Sequence, residues 1–384
     1  MTSKLPTVKP ETFAAQAGGD IDVETGAIVA PIHLATTYIR DPDNAYSKGY
    51  VYGRPDNLTV RQAEAVITRL EEGAATLVSG SGMTAATCAF LALERPAHVI
   101  APDVMYWALK LWLREDARTH GIEVTFVDAG SLHDIAKAVR PGQTKMIWLE
   151  TPANPLWTIS DIAGAAKIAQ DAGALLAVDS TVATPVLTQP IKHGADVVMH
   201  AATKYLNGHS DVVAGALTFA RKDAYFQRAE RVRRMLGGIL GPFEAALLIR
   251  GMRTLHVRVA AQVKAAQRIA EHFARDPRVV QVLYPGLPSF VGHDVAARQM
   301  SGGFSGMLSI RVKAGEAAAV RTAAHVNIWK RATSLGGVES LIEHRASIEG
   351  AGSPCPTDLL RLSVGLEAVD DLIADLDQAL GANS

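Results

Sequence analysis

Apolar positions along the chain alternate between two spacings. In residues 59–72, Val60, Ala63, Val66, Ile67 and Leu70 recur on one face of a helix. The runs 75–79, 98–101, 123–127, 146–150, 175–179 and 195–199 are short, apolar and rich in β-branched residues, which predicts strands buried on both faces. Helical spacing returns at 132–139 and 162–171. Strand and helix in regular alternation predict an α/β fold, with a large and mostly parallel sheet joined by crossover helices. In such sheets ligands collect at the strand ends.

The flanks read differently. Residues 1–57 carry prolines, glycines and scattered polar residues with little periodicity, and so predict an extended arm that needs a surface to lie on. Residues 58–250 form the main domain. After an apolar strand at 216–220 and a basic helical segment at 228–234, Gly237-Gly238 breaks the pattern. One long helix over 243–276 is expected to bridge into a second domain, 251–384. Strands at 306–312 and 360–364, with helical stretches between them, make this a smaller C-terminal α+β domain. No internal repeat or low-complexity segment is present.

Composition narrows the class. The 384 residues are enough for two domains, and 48% hydrophobic with 20% charged residues is ordinary for a globular protein. A net charge of −1 argues against nucleic-acid partners and electrostatic attachment to a membrane. The two cysteines, Cys88 and Cys355, exclude a disulfide framework and a Cys-rich zinc site, so no metal is expected and a reducing cytoplasm fits. The N-terminus lacks the apolar core of a signal peptide, and no apolar run reaches the roughly 18 residues of a membrane span.

Chemistry concentrates around Lys204. It follows the predicted strand 195–199, where partial desolvation makes an amine a usable nucleophile toward an aldehyde. Thr203 places a hydroxyl beside it, and Asn207-Gly208 permits a tight turn. A lone lysine there would simply cap a strand and reach solvent. Three further features accompany it. Gly80-Ser81-Gly82-Met83-Thr84 joins a strand to an alanine-rich helix, where backbone N–H groups and the helix dipole favour an anion. Asp179 ends a buried strand, a costly position for an unpartnered carboxylate. Asn154 lies in Thr151-Pro152-Ala153-Asn154-Pro155, which taken alone marks a turn.

These residues resemble the motifs of the Cys/Met-metabolism family of pyridoxal 5'-phosphate (PLP) enzymes, the transsulfuration group. The family's Ser-Ala-Thr-Lys-Tyr and Asn-Gly-His-Ser-Asp runs appear as Ala201-Ala202-Thr203-Lys204-Tyr205 and Asn207-Gly208-His209-Ser210-Asp211. Ala201 lacks the hydroxyl that helps hold the phosphate, a loss of roughly 1.5–3 kcal/mol in cofactor binding. The resemblance implies the aspartate-aminotransferase-like, type I PLP-dependent transferase fold. It also implies a homotetramer, a dimer of dimers with shared active sites.

By resemblance, Lys204 carries PLP and moves the substrate's Cα proton, and Tyr106 stacks on the pyridine ring. Ser81, Gly82 and Met83 hold the phosphate, with Thr203 alongside. Tyr52 and Arg54, in Tyr52-Gly53-Arg54, reach the phosphate of the neighbouring subunit. Asn154 meets the phenolic oxygen of the cofactor. Asp179 meets the pyridine nitrogen, with Thr181 completing the family's Val-Asp-Asn-Thr and Ser180 replacing its asparagine. Arg361 clamps the α-carboxylate of an amino-acid substrate, and Ser334 helps to position Lys204 or that carboxylate.

The chain departs from the family elsewhere. Trp107 and Trp112 follow Tyr106 where glycines are usual. They either re-line the substrate pocket or, as expected here, form helix core. Arg345 replaces the proline of His-Pro-Ala-Ser, and it either meets an acidic substrate tail or pairs with Glu343 or Glu349. The implied function is γ-replacement on an O-acylhomoserine by cysteine, as in cystathionine γ-synthases. Leu335 leans toward γ enzymes, Tyr52-Gly53-Arg54 toward β-lyases, and Thr333 away from the cystathionine γ enzymes. The alternative is C–S elimination by a cystathionine β- or γ-lyase or a methionine γ-lyase. A purely regulatory binder would have no need for Lys204, Asp179 and Arg361 together.

Overall fold

The computed structural model describes residues 7–350 and 353–382. The first six residues, part of the N-terminus in which no signal peptide is expected, lie outside them. The strands are β1 (Ala75–Ser79), β2 (Ala97–Pro102), β3 (Ile122–Val127), β4 (Thr144–Glu150), β5 (Leu175–Asp179), β6 (Val197–His200), β7 (Gly215–Phe219), β8 (Val279–Leu283), β9 (Met307–Val312), β10 (Lys330–Arg331), β11 (Leu341–His344) and β12 (Leu359–Ser363). The large sheet has seven strands and the second sheet five. The chain divides into two compact units, Met1–Glu94 with Asp196–Leu255 and Arg95–Ala195 with His256–Ser384.

In the first unit β7 runs antiparallel to both β1 and β6. The helix Leu58–Leu70 buries Val60, Ala63, Val66, Ile67 and Leu70, the face that the spacing predicts. Asn57 starts it by accepting from the N–H groups of Thr59 and Val60, and the Asn57 amide donates to His33 O at 2.7 Å. One capping residue thereby also pins the arm. The arm itself leaves apolar side chains in solvent, among them Ile39 at 96% exposure and Ile28 at 82%.

The predicted 243–276 helix is two helices, Pro242–Met252 and Leu255–Phe273. The break falls at Thr254, whose N–H and hydroxyl both bond the Gly251 carbonyl at 3.2 Å, tightening the last turn and stopping it. No periodicity in the apolar positions signals that switch.

In the second unit the strands order β5-β4-β2-β3 and every pair is parallel. Ile100, Ile147, Leu149, Leu176 and Val178 fill one face against Ile135 and Ile162 from the flanking helices, each fully buried side chain being worth roughly 1.5–3 kcal/mol. The register sets Glu150 opposite Asp179 at the C-terminal ends of β4 and β5. The five-stranded sheet, ordered β10-β11-β12-β9-β8, has a core of Leu308, Ile310, Trp329, Leu362 and Leu376. Its antiparallel β11–β12 pair sets Glu343 opposite Arg361. Among the described residues no helix is long and apolar enough to cross a membrane.

Candidate active site

In the first unit, β6 ends at His200 and the chain turns. The Lys204 N–H bonds the Ala201 carbonyl at 3.0 Å, and the Lys204 carbonyl accepts from Gly208 N–H at 2.7 Å. Lys204 is half-buried between fully buried Ala202 and Tyr205. The strand end is anchored from below by a buried pair, His200 Nε2 to Glu71 Oε1 at 2.5 Å. Thr203 locks the turn from its other side. Its hydroxyl accepts from Ala214 N–H at 2.9 Å and donates to Ala214 O at 3.1 Å. The single Thr203 proton is therefore committed to the backbone, so Thr203 shapes the turn first and would reach a phosphate only by releasing Ala214.

The Gly80–Thr84 turn opens the helix Gly82–Leu91. The Ser81 hydroxyl caps it, accepting from Thr84 N–H at 3.0 Å. This leaves the N–H groups of Gly82 and Met83 without an acceptor among the described residues, the donor set an anion needs. Gly82 sits so close to the lysine turn that a Cβ there would lie 2.9 Å from Ala201 Cβ and 3.1 Å from its Cα. The turn expected to bind phosphate and the turn carrying Lys204 are thus pressed together, and this donor set fits a phosphate monoester such as that of PLP. On the arm, the Arg54 guanidinium lies 6.0 Å from the Tyr52 ring centroid and donates to Arg234 O. Both side chains are exposed.

The second unit holds the acidic and substrate-facing residues. Asp179 Oδ1 accepts from the Thr181 N–H at 3.0 Å and its hydroxyl at 2.5 Å. Thr181 therefore orients the aspartate, while the Ser180 hydroxyl is buried without a hydrogen-bond partner among the described residues. Glu150, which sequence reasoning did not single out as functional, ties two expected cofactor residues together. Its Oε2 accepts from Tyr106 N–H at 2.7 Å and its Oε1 from Asn154 N–H at 2.9 Å. Burial first, and then the Asp179 charge, pushes the Glu150 carboxyl up to about 8.

Tyr106 precedes the helix Trp107–Glu115 with its ring partly exposed. The expectation that Trp107 and Trp112 form helix core fails, because Leu109 and Leu113 take the buried face. Trp107 is exposed and Trp112 stacks on His120 at 6.1 Å.

Arg361 is buried and held from three directions: Nη1 donates to Asn154 Oδ1 at 3.1 Å, and Nη2 to Ser334 O at 2.8 Å and to Glu343 Oε2 at 2.5 Å. Ser334 reaches it with φ of 93°, a conformation rare outside glycine. Burial lowers the Arg361 guanidinium to about 10 against the opposing pull of Glu343, so it stays charged at neutral pH. Arg345 does not stand free for a substrate tail. It is 2% exposed and pairs with Glu343 at 2.9 Å and Glu349 at 2.8 Å. Among the described residues no cluster of His, Cys, Asp or Glu could hold a metal ion.

Comparison with known proteins agrees over almost the whole chain. Residues 11–381 match the family model described as Cys/Met metabolism PLP-dependent enzyme. Cystathionine gamma-synthase of Mycobacterium tuberculosis H37Rv is 42% identical over 378 residues, covering 97% of each chain. Cystathionine gamma-lyase of Bacillus subtilis is 39% identical over 97% of this chain and 99% of that one. The crystal structure of cystathionine gamma synthase from Xanthomonas oryzae pv. oryzae in complex with cystathionine superposes with a TM-score of 0.93 at 34% identity, covering 98% of each chain. Motifs, fold and full-length similarity converge: the chain belongs to the Cys/Met metabolism family of PLP-dependent enzymes.

Proposed function

We propose that the chain is a transsulfuration enzyme that catalyses γ-replacement, joining the sulfur of cysteine to the Cγ of an O-acylhomoserine with loss of the acyl carboxylate. The observation that carries this reading is the buried Arg361, held rigidly by Asn154, Ser334 and Glu343. A charged guanidinium in that setting, with Nε–H and one Nη1–H beyond those three bonds, suits an amino acid's α-carboxylate and fixes Cα for proton removal. The cystathionine complex of the Xanthomonas relative and the name of the mycobacterial one favour cystathionine as the product.

When bound, PLP supplies an electron sink that stabilises negative charge at Cα and Cβ. The residues divide the remaining work. Lys204 is the covalent anchor for the cofactor and the base that removes the Cα proton and delivers it onward. Gly82 and Met83 N–H groups, with Ser81 and Thr203 shaping their turns, receive the phosphate. Asp179, oriented by Thr181, keeps the pyridine nitrogen protonated. Tyr106 covers the ring, and the Asn154 amide donates to the phenolic oxygen. Ser334 borders the substrate.

The exposed arm supports assembly. Residues 7–57, with apolar side chains such as Ile28 and Ile39 in solvent and Tyr52 and Arg54 exposed, suit burial against a second copy in a homotetramer of shared-site dimers. We place the protein in the cytoplasm, where both free cysteines stay reduced.

Elimination from cystathionine is the second reading, favoured by the Bacillus γ-lyase similarity. Product analysis with L-cystathionine, L-methionine, and O-acetyl- or O-succinyl-L-homoserine with and without L-cysteine separates the two. Cystathionine formed only when acylhomoserine and cysteine are both present supports γ-replacement. Pyruvate or 2-oxobutyrate from cystathionine as the main activity overturns it in favour of a β- or γ-lyase.

A further inference from the structure

Four charged side chains form a continuous buried chain that begins at the proposed carboxylate clamp, Arg361. Glu343 Oε2 is shared, accepting from Arg361 Nη2 at 2.5 Å and from Arg345 Nη1 at 2.9 Å. Arg345 then turns its other edge to Glu349 Oε1, Nη2 at 2.8 Å and Nε at 3.2 Å. Glu349 Oε2 in turn accepts from the Ser353 hydroxyl. Side-chain exposure is 4% for Arg361, 7% for Glu343, 3% for Arg345 and 6% for Glu349.

The problem this arrangement addresses is competition. A carboxylate at hydrogen-bond distance from Arg361 is a rival to any substrate carboxylate, and with Arg361 and Glu343 alone the clamp is already neutralised. Arg345 changes the balance. It draws on the same oxygen that Arg361 uses, and it adds a positive charge that offsets Glu343 while Glu349 satisfies its far side. Remove Arg345, and the cluster of Arg361, Glu343 and Glu349 carries a net negative charge facing an anionic ligand. In a buried setting of effective dielectric near 20, one such charge several ångströms away changes anion affinity by about tenfold or more.

We propose that Arg345 is a positioning residue that acts through Glu343 to keep Arg361 available to the substrate's α-carboxylate. The inference rests on Arg361 being that clamp. Arg345 itself never reaches the substrate, because its guanidinium is enclosed by the two glutamates.

The test is a mutant cycle on PLP-loaded enzyme, read by calorimetric binding of butyrate, a carboxylate with no amine to react, and by steady-state kinetics. R345Q is expected to weaken butyrate and raise KM for the amino-acid substrate about tenfold, with kcat within threefold of wild type. R345K should retain most of the affinity. Replacing Arg345 in an E343Q background should cost clearly less butyrate affinity than in wild type, because its loss there no longer leaves Arg361 to a rival carboxylate. Unchanged affinity in R345Q, or an equal loss in the E343Q background, overturns the proposal. If R345Q does not fold, E343Q decides it: with the rival carboxylate gone, butyrate should bind about threefold or more tightly than to wild type, and unchanged or weaker binding overturns the proposal. R361K separates this inference from the reading beneath it. If R361K binds butyrate as wild type does, Arg361 is not the clamp. If R361K loses affinity and R345Q does not, only the role of Arg345 falls.

Discussion

Asn154 Oδ1 accepts a hydrogen bond from Arg361 Nη1 at 3.1 Å. Arginine has only donors, so the amide must turn its oxygen toward Arg361, which leaves the Asn154 NH2 as a donor. One side chain thus steadies the proposed carboxylate clamp and offers a proton for the cofactor's phenolic oxygen. The backbone of Asn154 is fixed in turn by Glu150.

Two substitutions separate those roles. Asn154→Leu removes both, and is expected to weaken amino-acid substrate binding at least tenfold and to shift the visible absorption of bound PLP. Asn154→Asp keeps an acceptor for Arg361 and loses the donor. Its carboxylate also becomes a rival to the substrate on Arg361, so its KM should rise further than that of Asn154→Leu, and its spectrum should still shift. Titrating both variants with substrate, and recording their spectra, checks the division.

Gly82 and Ala201 fix how tightly the two phosphate-side turns meet. A Cβ on Gly82 would fall against Ala201 backbone and side chain, so Gly82→Ala is expected to cost about 1–3 kcal/mol through overpacking and to weaken PLP. Ala201→Ser restores a donor at the same place. It should tighten PLP by roughly 1.5–3 kcal/mol. Equilibrium dialysis of PLP and thermal melts of the cofactor-free proteins measure both effects.

Much of this was legible from sequence because the signals are local. The strands of the second unit have period and length that fix them, and Lys204, Asp179, Asn154 and Arg361 stand in recognisable runs. What sequence spacing could not show is pairing across distance. Glu150 looks like the last residue of an apolar strand, and only the fold brings Tyr106, 44 residues away, onto its carboxylate. Glu343 meets Arg361 only because antiparallel pairing sets the two residues opposite one another. By sequence Arg345 fits either an acidic substrate tail or an ion pair, and its burial between two glutamates makes it an ion pair. Trp107 and Trp112 misled because their apolar character suggested core, whereas Leu109 and Leu113 hold the inward face.

Glu150 makes a pH signature. Its carboxyl is pushed from an ordinary 4.5 to about 8 by burial and by Asp179. The folded protein therefore holds a proton that the unfolded chain has lost between those values, and stability falls as pH rises across that window. In the cofactor-free protein, Glu150→Gln is expected to flatten the decline of Tm between about pH 5 and 8. It should also cost about 1 kcal/mol overall, because one of the two backbone N–H groups loses its acceptor. Melting curves across that pH range test the slope independently of the offset.

The role of Lys204 is the claim on which the account depends most. Reduction of the PLP-loaded protein with borohydride, followed by digestion and peptide mass analysis, tests it directly. The account predicts a pyridoxyl-phosphate mass on the peptide carrying Lys204, on no other lysine, and absent from Lys204→Ala. A label on a different lysine, or none on a protein that retains PLP, would contradict it.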